Sequence, residues 1–107
     1  MNWQALTQPA ELDMLNQASF QRPQLIFKHS TRCGTSAMIK GRLLNADLEF
    51  PVYYLDLIQY RAVSNAIAER YHVVHESPQV LLIHKGECIL EASHIEITAS
   101  LIREGLT

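Results

Sequence analysis

The residue best suited to covalent chemistry is Cys33, within the small polar turn Ser30-Thr31-Arg32-Cys33-Gly34-Thr35-Ser36. A short apolar run, Gln24-Leu25-Ile26-Phe27-Lys28, precedes this turn, and a stretch of helical periodicity follows it. A cysteine at such a strand-to-helix turn meets unpaired backbone N–H groups and the positive end of the helix dipole, and both favour the thiolate. The thiolate is the nucleophile of disulfide exchange. Charge points the same way. From Met14 through Ala46 there is no acidic residue, while Arg22, Lys28, Arg32, Lys40 and Arg42 fall inside: five of the nine basic residues, in a chain of net charge -2. Nearby positive charge lowers a thiol pKa and attracts an anionic thiol. Ser36 stands where a Cys-x-x-Cys pair would have its second sulfur, so a mixed disulfide on Cys33 awaits an external thiol. The other cysteine, Cys88, lies on an alternating run with Leu90 and Ala92 on the same face, and reads as packing.

No other group makes a stronger case. His72 and His75 are three apart, but no carboxylate or cysteine completes a ligand set, so a solvated turn is expected and no metal site. His29 is close to Cys33 in sequence, yet strand side chains alternate and it can point away. His94 follows the last strand, near the rim where Cys33 is expected, and can meet a substrate carboxylate or act as a surface cap. Tyr53, Tyr54, Tyr60 and Tyr71 read as core-rim aromatics rather than a base-stacking platform. No Gly-rich phosphate loop and no Ser/His/Asp order stands out.

The elements that must position Cys33 follow from periodicity. A helix is expected from about Pro9 to Ala18, with Pro9 in its opening turn and Glu11 and Asp13 near its positive end. After the strand and the turn, Ile39, Leu43 and Ala46 fall on one helical face. Val52 to Leu57 reads as a second strand, and Tyr60, Val63, Ile67 and Tyr71 recur at helical spacing. Gln79 to His84 is a continuous apolar strand of the kind covered on both faces. Lys85-Gly86 turns it into the alternating run Glu87 to Ala92, an antiparallel hairpin. Thr98 can cap a last helix that Gly105 ends. The order helix, strand, helix, strand, helix, strand, strand, helix predicts an α/β fold with helices on both faces of a four-stranded mixed sheet.

Composition bounds the function. A chain of 107 residues with 48% hydrophobic content is one domain, residues 1–107, large enough to fold without disulfide or metal staples. The small acidic excess argues against a nucleic-acid binder. The longest aliphatic run, Val80-Leu81-Leu82-Ile83, is far short of the ~20 residues of a membrane span. The start, Met1-Asn2-Trp3-Gln4, lacks the basic and apolar stretches of a secretory signal. Two distant cysteines make no secreted disulfide framework, and a cytoplasmic location is expected.

The segment from Tyr54-Leu55-Asp56 through Ala66–Val73 to Ser77-Pro78-Gln79-Val80-Leu81-Leu82-Ile83-His84-Lys85-Gly86-Glu87 resembles the second half of a thioredoxin-fold protein. The resemblance implies an extra N-terminal helix, and a Pro78 that is cis and faces the reactive cysteine. A closer match covers nearly the whole chain. Phe27-Lys28-His29-Ser30-Thr31-Arg32-Cys33, Tyr53-Tyr54-Leu55-Asp56-Leu57, Val63–Ala68, His75-Glu76-Ser77-Pro78-Gln79-Val80 and Ala92-Ser93-His94 resemble the YtxJ family, the monothiol bacilliredoxins of the bacillithiol system. The family's Cys-Pro-Ile-Ser turn stands here as Cys33-Gly34-Thr35-Ser36. The resemblance implies a cytoplasmic oxidoreductase of redox homeostasis that takes a low-molecular-weight thiol, bacillithiol, off S-thiolated client proteins. That thiol is a co-substrate, no cofactor is bound, and a disulfide reductase regenerates the system.

In this reading Cys33 is the nucleophile, and Lys28, Thr31, Arg32, Gly34, Ser36, Ser77, Pro78 and His94 surround the substrate. Lys28 and Arg32 supply positive charge, and Ser77 and Pro78 shape the docking groove. Two alternatives stand beside it. One is an interaction or stress-response module whose Cys33 is modified without turnover. The other is an iron–sulfur carrier like the monothiol glutaredoxins, whose Cys-Gly-Phe-Ser turn the motif echoes. Those proteins carry Gly-Gly after the hairpin, where this chain has Ser93-His94.

Overall fold

Two runs without polar alternation form the centre of the sheet in the computed structural model, which describes residues 3–30, 34–46 and 48–106. Strand β2 (Gln24–His29) is buried along its whole length, and β4 (Gln79–His84) along all but its last residue. Such burial requires cover on both faces. Helices α1 (Ala10–Ala18) and α3 (Arg61–Tyr71) supply it on one face, α2 (Gly34–Leu44) and α4 (Ala99–Glu104) on the other.

Because successive strand side chains point to opposite faces, β2 divides its residues between two cores. Leu25 and Phe27 join Ile39, Leu43, Val80, Leu82 and Ile102 under α2 and α4. Ile26 joins Leu12, Leu15, Val63, Ile67, Leu81 and Ile83 under α1 and α3. The helical faces match the expected ones at Ile39, Leu43, Val63, Ile67 and Tyr71, whereas Ala46 lies past the end of α2. Helix α2 also starts early, so Gly34, Thr35 and Ser36 form its first turn.

Strand β3 (Val52–Asp56) runs parallel to β2, and β4 runs antiparallel to β2 on its other side. Strand β5 (Glu87–Ser93) completes the hairpin with β4. The expected sheet has four strands; the structure adds a fifth, β1 (Trp3–Ala5), parallel to the outer edge of β3, giving the order β1-β3-β2-β4-β5. Three residues are too few to show a period. Pairing holds β1 in place, together with the Trp3 ring 6.0 Å from Phe27 and 6.1 Å from Tyr54.

The hairpin turn has positive φ at both Lys85 (53°) and Gly86 (78°), the geometry that suits a two-residue turn between twisted strands. Beyond it lies a bulge. Leu82 pairs with Leu90 but Ile83 pairs with Cys88, so Ile89 is an extra residue. The expectation that Cys88 shares a face with Leu90 and Ala92 is therefore wrong. The bulge reverses the parity: Cys88 packs on the core under α1 and α3, Leu90 and Ala92 on the opposite one.

At α4 the Thr98 hydroxyl accepts from the Leu101 N–H at 3.1 Å, the expected cap. Gly105 ends the helix with an ordinary helical φ of -63°. What it provides is space, since a Cβ there would lie 3.1 Å from Leu90 Cβ.

Candidate active site

Cys33, Thr31 and Arg32 lie outside the described residues, so the site is built from what flanks them: the end of β2, the first turn of α2 and the bend before β4. Ser36, third residue of α2, is fully buried. Its Oγ is 2.6 Å from His29 Nδ1 and accepts the Ser30 N–H at 3.0 Å. The hydroxyl standing in for a second sulfur thus ties the end of β2 to the start of α2. Ser36 is not open to a substrate, which corrects its expected place in the binding surface. The reason is parity: His29 is on the α2 face of β2, its ring 5.3 Å from Tyr54 and 5.7 Å from Phe27. Burial, with Lys40 next in weight, holds the His29 pKa below the ordinary histidine value, so the ring is neutral at neutral pH. Ser36→Ala leaves Nδ1 without this partner, at an expected cost of ~1–3 kcal/mol. Urea unfolding of the variant measures it, and a loss near zero would mean the bond contributes nothing net.

Lys28 is also buried, on the opposite face of β2. Its ammonium group donates to the Ser64 carbonyl of α3 at 3.2 Å and lies 3.4 Å from His75 Nδ1. Burial pushes its pKa down to about 8. The expected role of direct substrate contact is therefore corrected, because a fully buried ammonium meets no ligand. Gly34 opens α2 and is exposed, and a Cβ there would meet nothing within 4 Å.

The Ser77–Pro78 bond is cis. Pro78 is buried, and Ser77 is half-buried with its Oγ enclosed and unpartnered among the described residues. The Pro78 carbonyl accepts the His94 N–H at 2.9 Å, and the exposed His94 ring lies 3.5 Å from a Glu76 carboxylate oxygen. The structure thus brings His94 and the Ser77–Pro78 bend together. Arg42 on α2 holds the turn after β5 by donating to the Ile95 and Ile97 carbonyls at 3.2 and 2.8 Å.

Sequence reasoning missed Ser64, and read His75 as a solvated turn residue. Nothing local could have revealed either contact, since Ser64 and His75 are brought to Lys28 by the packing of α3 on the sheet. Among the described residues no group of three His, Cys, Asp or Glu could hold a metal ion. No helix among them is long and apolar enough to cross a membrane. Cys88 is half-buried, its Sγ 3.3 Å from the Leu90 carbonyl, and burial pushes its thiol pKa up.

A parallel βαβ unit joined to an antiparallel hairpin, with a cis proline entering the hairpin, defines the thioredoxin fold. Solved structures agree. One described as a candidate oxidoreductase with a thioredoxin fold superposes with a TM-score of 0.85 and 26% identity, covering 99% of this chain and 95% of the other. A mutant thioredoxin from Halobacterium salinarum gives 0.74 at 18% identity over 96% and 87% of the two chains. Fasciola hepatica thioredoxin gives 0.72 at 19% over 94% and 93%. Residues 4–102 match the monothiol bacilliredoxin BrxC family, and the chain belongs to it. The family and fold support a thiol oxidoreductase, with protein and thiol partners in general.

Proposed function

We propose that the protein removes a small thiol from protein mixed disulfides, with Cys33 as nucleophile and bacillithiol as the thiol. The Cys33 thiolate attacks the small-thiol sulfur of the mixed disulfide. A new S–S bond forms to Cys33, the old one breaks, and the client leaves as a thiolate. A second small thiol, as thiolate, then attacks the adduct. It takes the first away as a symmetric disulfide, which a disulfide reductase returns to two thiols, and Cys33 is free again. Electrons balance at each exchange, and no cofactor enters.

What carries this reading is that one sulfur is left for the chemistry. The second motif position is an internally bonded serine, and the Cys88 thiol is held in its protonated form by burial. Arg32, adjacent in sequence, and the buried Lys28 supply the positive charge that favours the Cys33 thiolate, and Thr31 and Gly34 neighbour it along the chain. The Ser77–Pro78 bend, with His94 beside it, shapes the groove for an extended client segment. A reducing cytoplasm suits a thiol that must stay free.

Competition between oxidised bacillithiol and oxidised glutathione, read by mass spectrometry of Cys33, tests both reactivity and preference. The expected result is a Cys33 adduct with bacillithiol in excess, and release of reduced client when small thiol is added. An adduct that forms without client release would leave only a modified binding module.

A further inference from the structure

Lys28 is a buried cation with no carboxylate within salt-bridge distance among the described residues. Its acceptors are the Ser64 carbonyl and His75 Nδ1. The Ser64 hydroxyl lies 3.2 Å from that same Nδ1. An ammonium group can only donate, so Nδ1 must present its lone pair and the ring proton must sit on Nε2. His75 is itself exposed and stands three residues before Pro78, on the stretch that leads into the bend. On the far side of this stretch, Gln79 Nε2 donates to the Val74 carbonyl at 3.0 Å and to Glu91 at 3.1 Å.

We propose that Lys28, Ser64 and His75 form an acid-sensitive latch that positions the segment before the Ser77–Pro78 bend, closed while His75 is neutral and open once it is protonated. This deepens the proposed function, since it rests on reading that bend as the client-docking groove. Protonation puts an N–H and a positive charge 3.4 Å from the Lys28 ammonium, which can only donate and so loses its acceptor. The ring must then leave, and its exposed setting lets it swing into water.

The charged groups facing His75 act in both directions. Lys28 from β2 and Arg61 from α3 disfavour the imidazolium, and Glu76 beside it favours it; burial outweighs each and also disfavours it. The net direction is down, so the latch is shut at neutral pH and opens below the ordinary histidine range. Raising the pH does not open it, because a neutral Lys28 amine still donates to both acceptors. Glu76 also lies 3.5 Å from the His94 ring, a second contact that holds the same segment. A His94→Gln background removes that second contact.

The test is an NMR titration of the full reduced chain from about pH 7.5 to 5 in the His94→Gln background. The expected result is that the backbone amides of Val74, Glu76 and Ser77 shift with the same midpoint as the His75 ring, below the ~6.5 of a free histidine. Lys28→Met should raise that midpoint by about half a unit or more, by removing the adjacent cation. His75→Asn places an oxygen near the position of Nδ1 that takes no proton, so the amide titration should vanish while the neutral-pH spectrum of the segment is retained. Amides that ignore the His75 midpoint would overturn the latch.

The dethiolation rates of His75→Asn and its parent, taken as a ratio, cancel the ionisation of Cys33. That ratio should be near one at about pH 7.5 and about threefold or more in favour of the variant at about pH 5.5. A ratio that stays at one would overturn the positioning role. The titration needs no turnover, so a failure of the latch and a failure of the redox reading are seen separately.

Discussion

Cys33→Ser is expected to lower protein dethiolation by about a thousandfold or more, whereas Cys88→Ser leaves it within about a factor of two. A serine hydroxyl is not ionised at neutral pH and cannot form the S–S bond on which the exchange depends. A thousandfold loss corresponds to ~4 kcal/mol of transition-state stabilisation. Cys88 cannot stand in. Its thiol is half-buried on the bulged strand, its pKa is pushed up, and its Sγ lies by the Leu90 carbonyl. Only a small fraction of it is thiolate at neutral pH. The rate of client release under excess small thiol measures both variants, with intact-mass spectra counting adducts. Cys88→Ser protein that stalls as a Cys33 adduct would make Cys88 the resolving thiol, and the monothiol mechanism would fail.

Lys28→Met is expected to make the protein more stable at pH 7, and to lose that advantage as the pH rises. In the folded state the Lys28 pKa is lowered from 10.5 to about 8. Below pH 8 both folded and unfolded chains hold the proton, and the cost of burying the charge is fully present. Between about 8 and 10.5 the unfolded chain holds more protons than the folded one, so wild-type stability rises with pH across that window. A shift of this size corresponds to ~3 kcal/mol. Against it stand the two hydrogen bonds lost with the ammonium, ~1 kcal/mol each, so the net gain at pH 7 is about 1 kcal/mol. Near pH 10.5 the order should reverse, with the wild type ahead. Urea unfolding of both proteins at the two pH values gives the difference, and groups common to both cancel. A gap that does not change with pH would mean that Lys28 keeps an ordinary pKa in its buried site.

These two residues show what could be read in advance. Cys33 stands out in the sequence because chemistry, turn composition and local charge coincide within a few positions of the chain. Lys28 sits in the same basic segment and counts toward the same charge, yet it is not available to a substrate. The difference is the face of β2 it occupies: His29 turns toward α2, and Lys28 is sealed under α3. Parity along a strand is legible; which face is deep enough to seal a lysine is not. Cys88 makes the complementary point. Its alternation with Leu90 and Ala92 is real in the sequence, but one inserted residue, Ile89, sends it to the opposite core.

The amino-acid sequence by itself determined the order of the long elements, the buried faces of α2 and α3, the doubly covered strand Gln79–His84, the Lys85-Gly86 turn and the Thr98 cap. Each of these is set by spacing or residue type within a turn or two of the chain. Only the tertiary structure decided the three-residue strand β1, the bulge, and the meeting of Lys28 with Ser64 and His75. Those depend on how strands pair and on which helix covers which face. The pairing of β1 and the Lys28 cluster join residues dozens of positions apart, and the bulge, though inside one hairpin, leaves no mark on local pattern either.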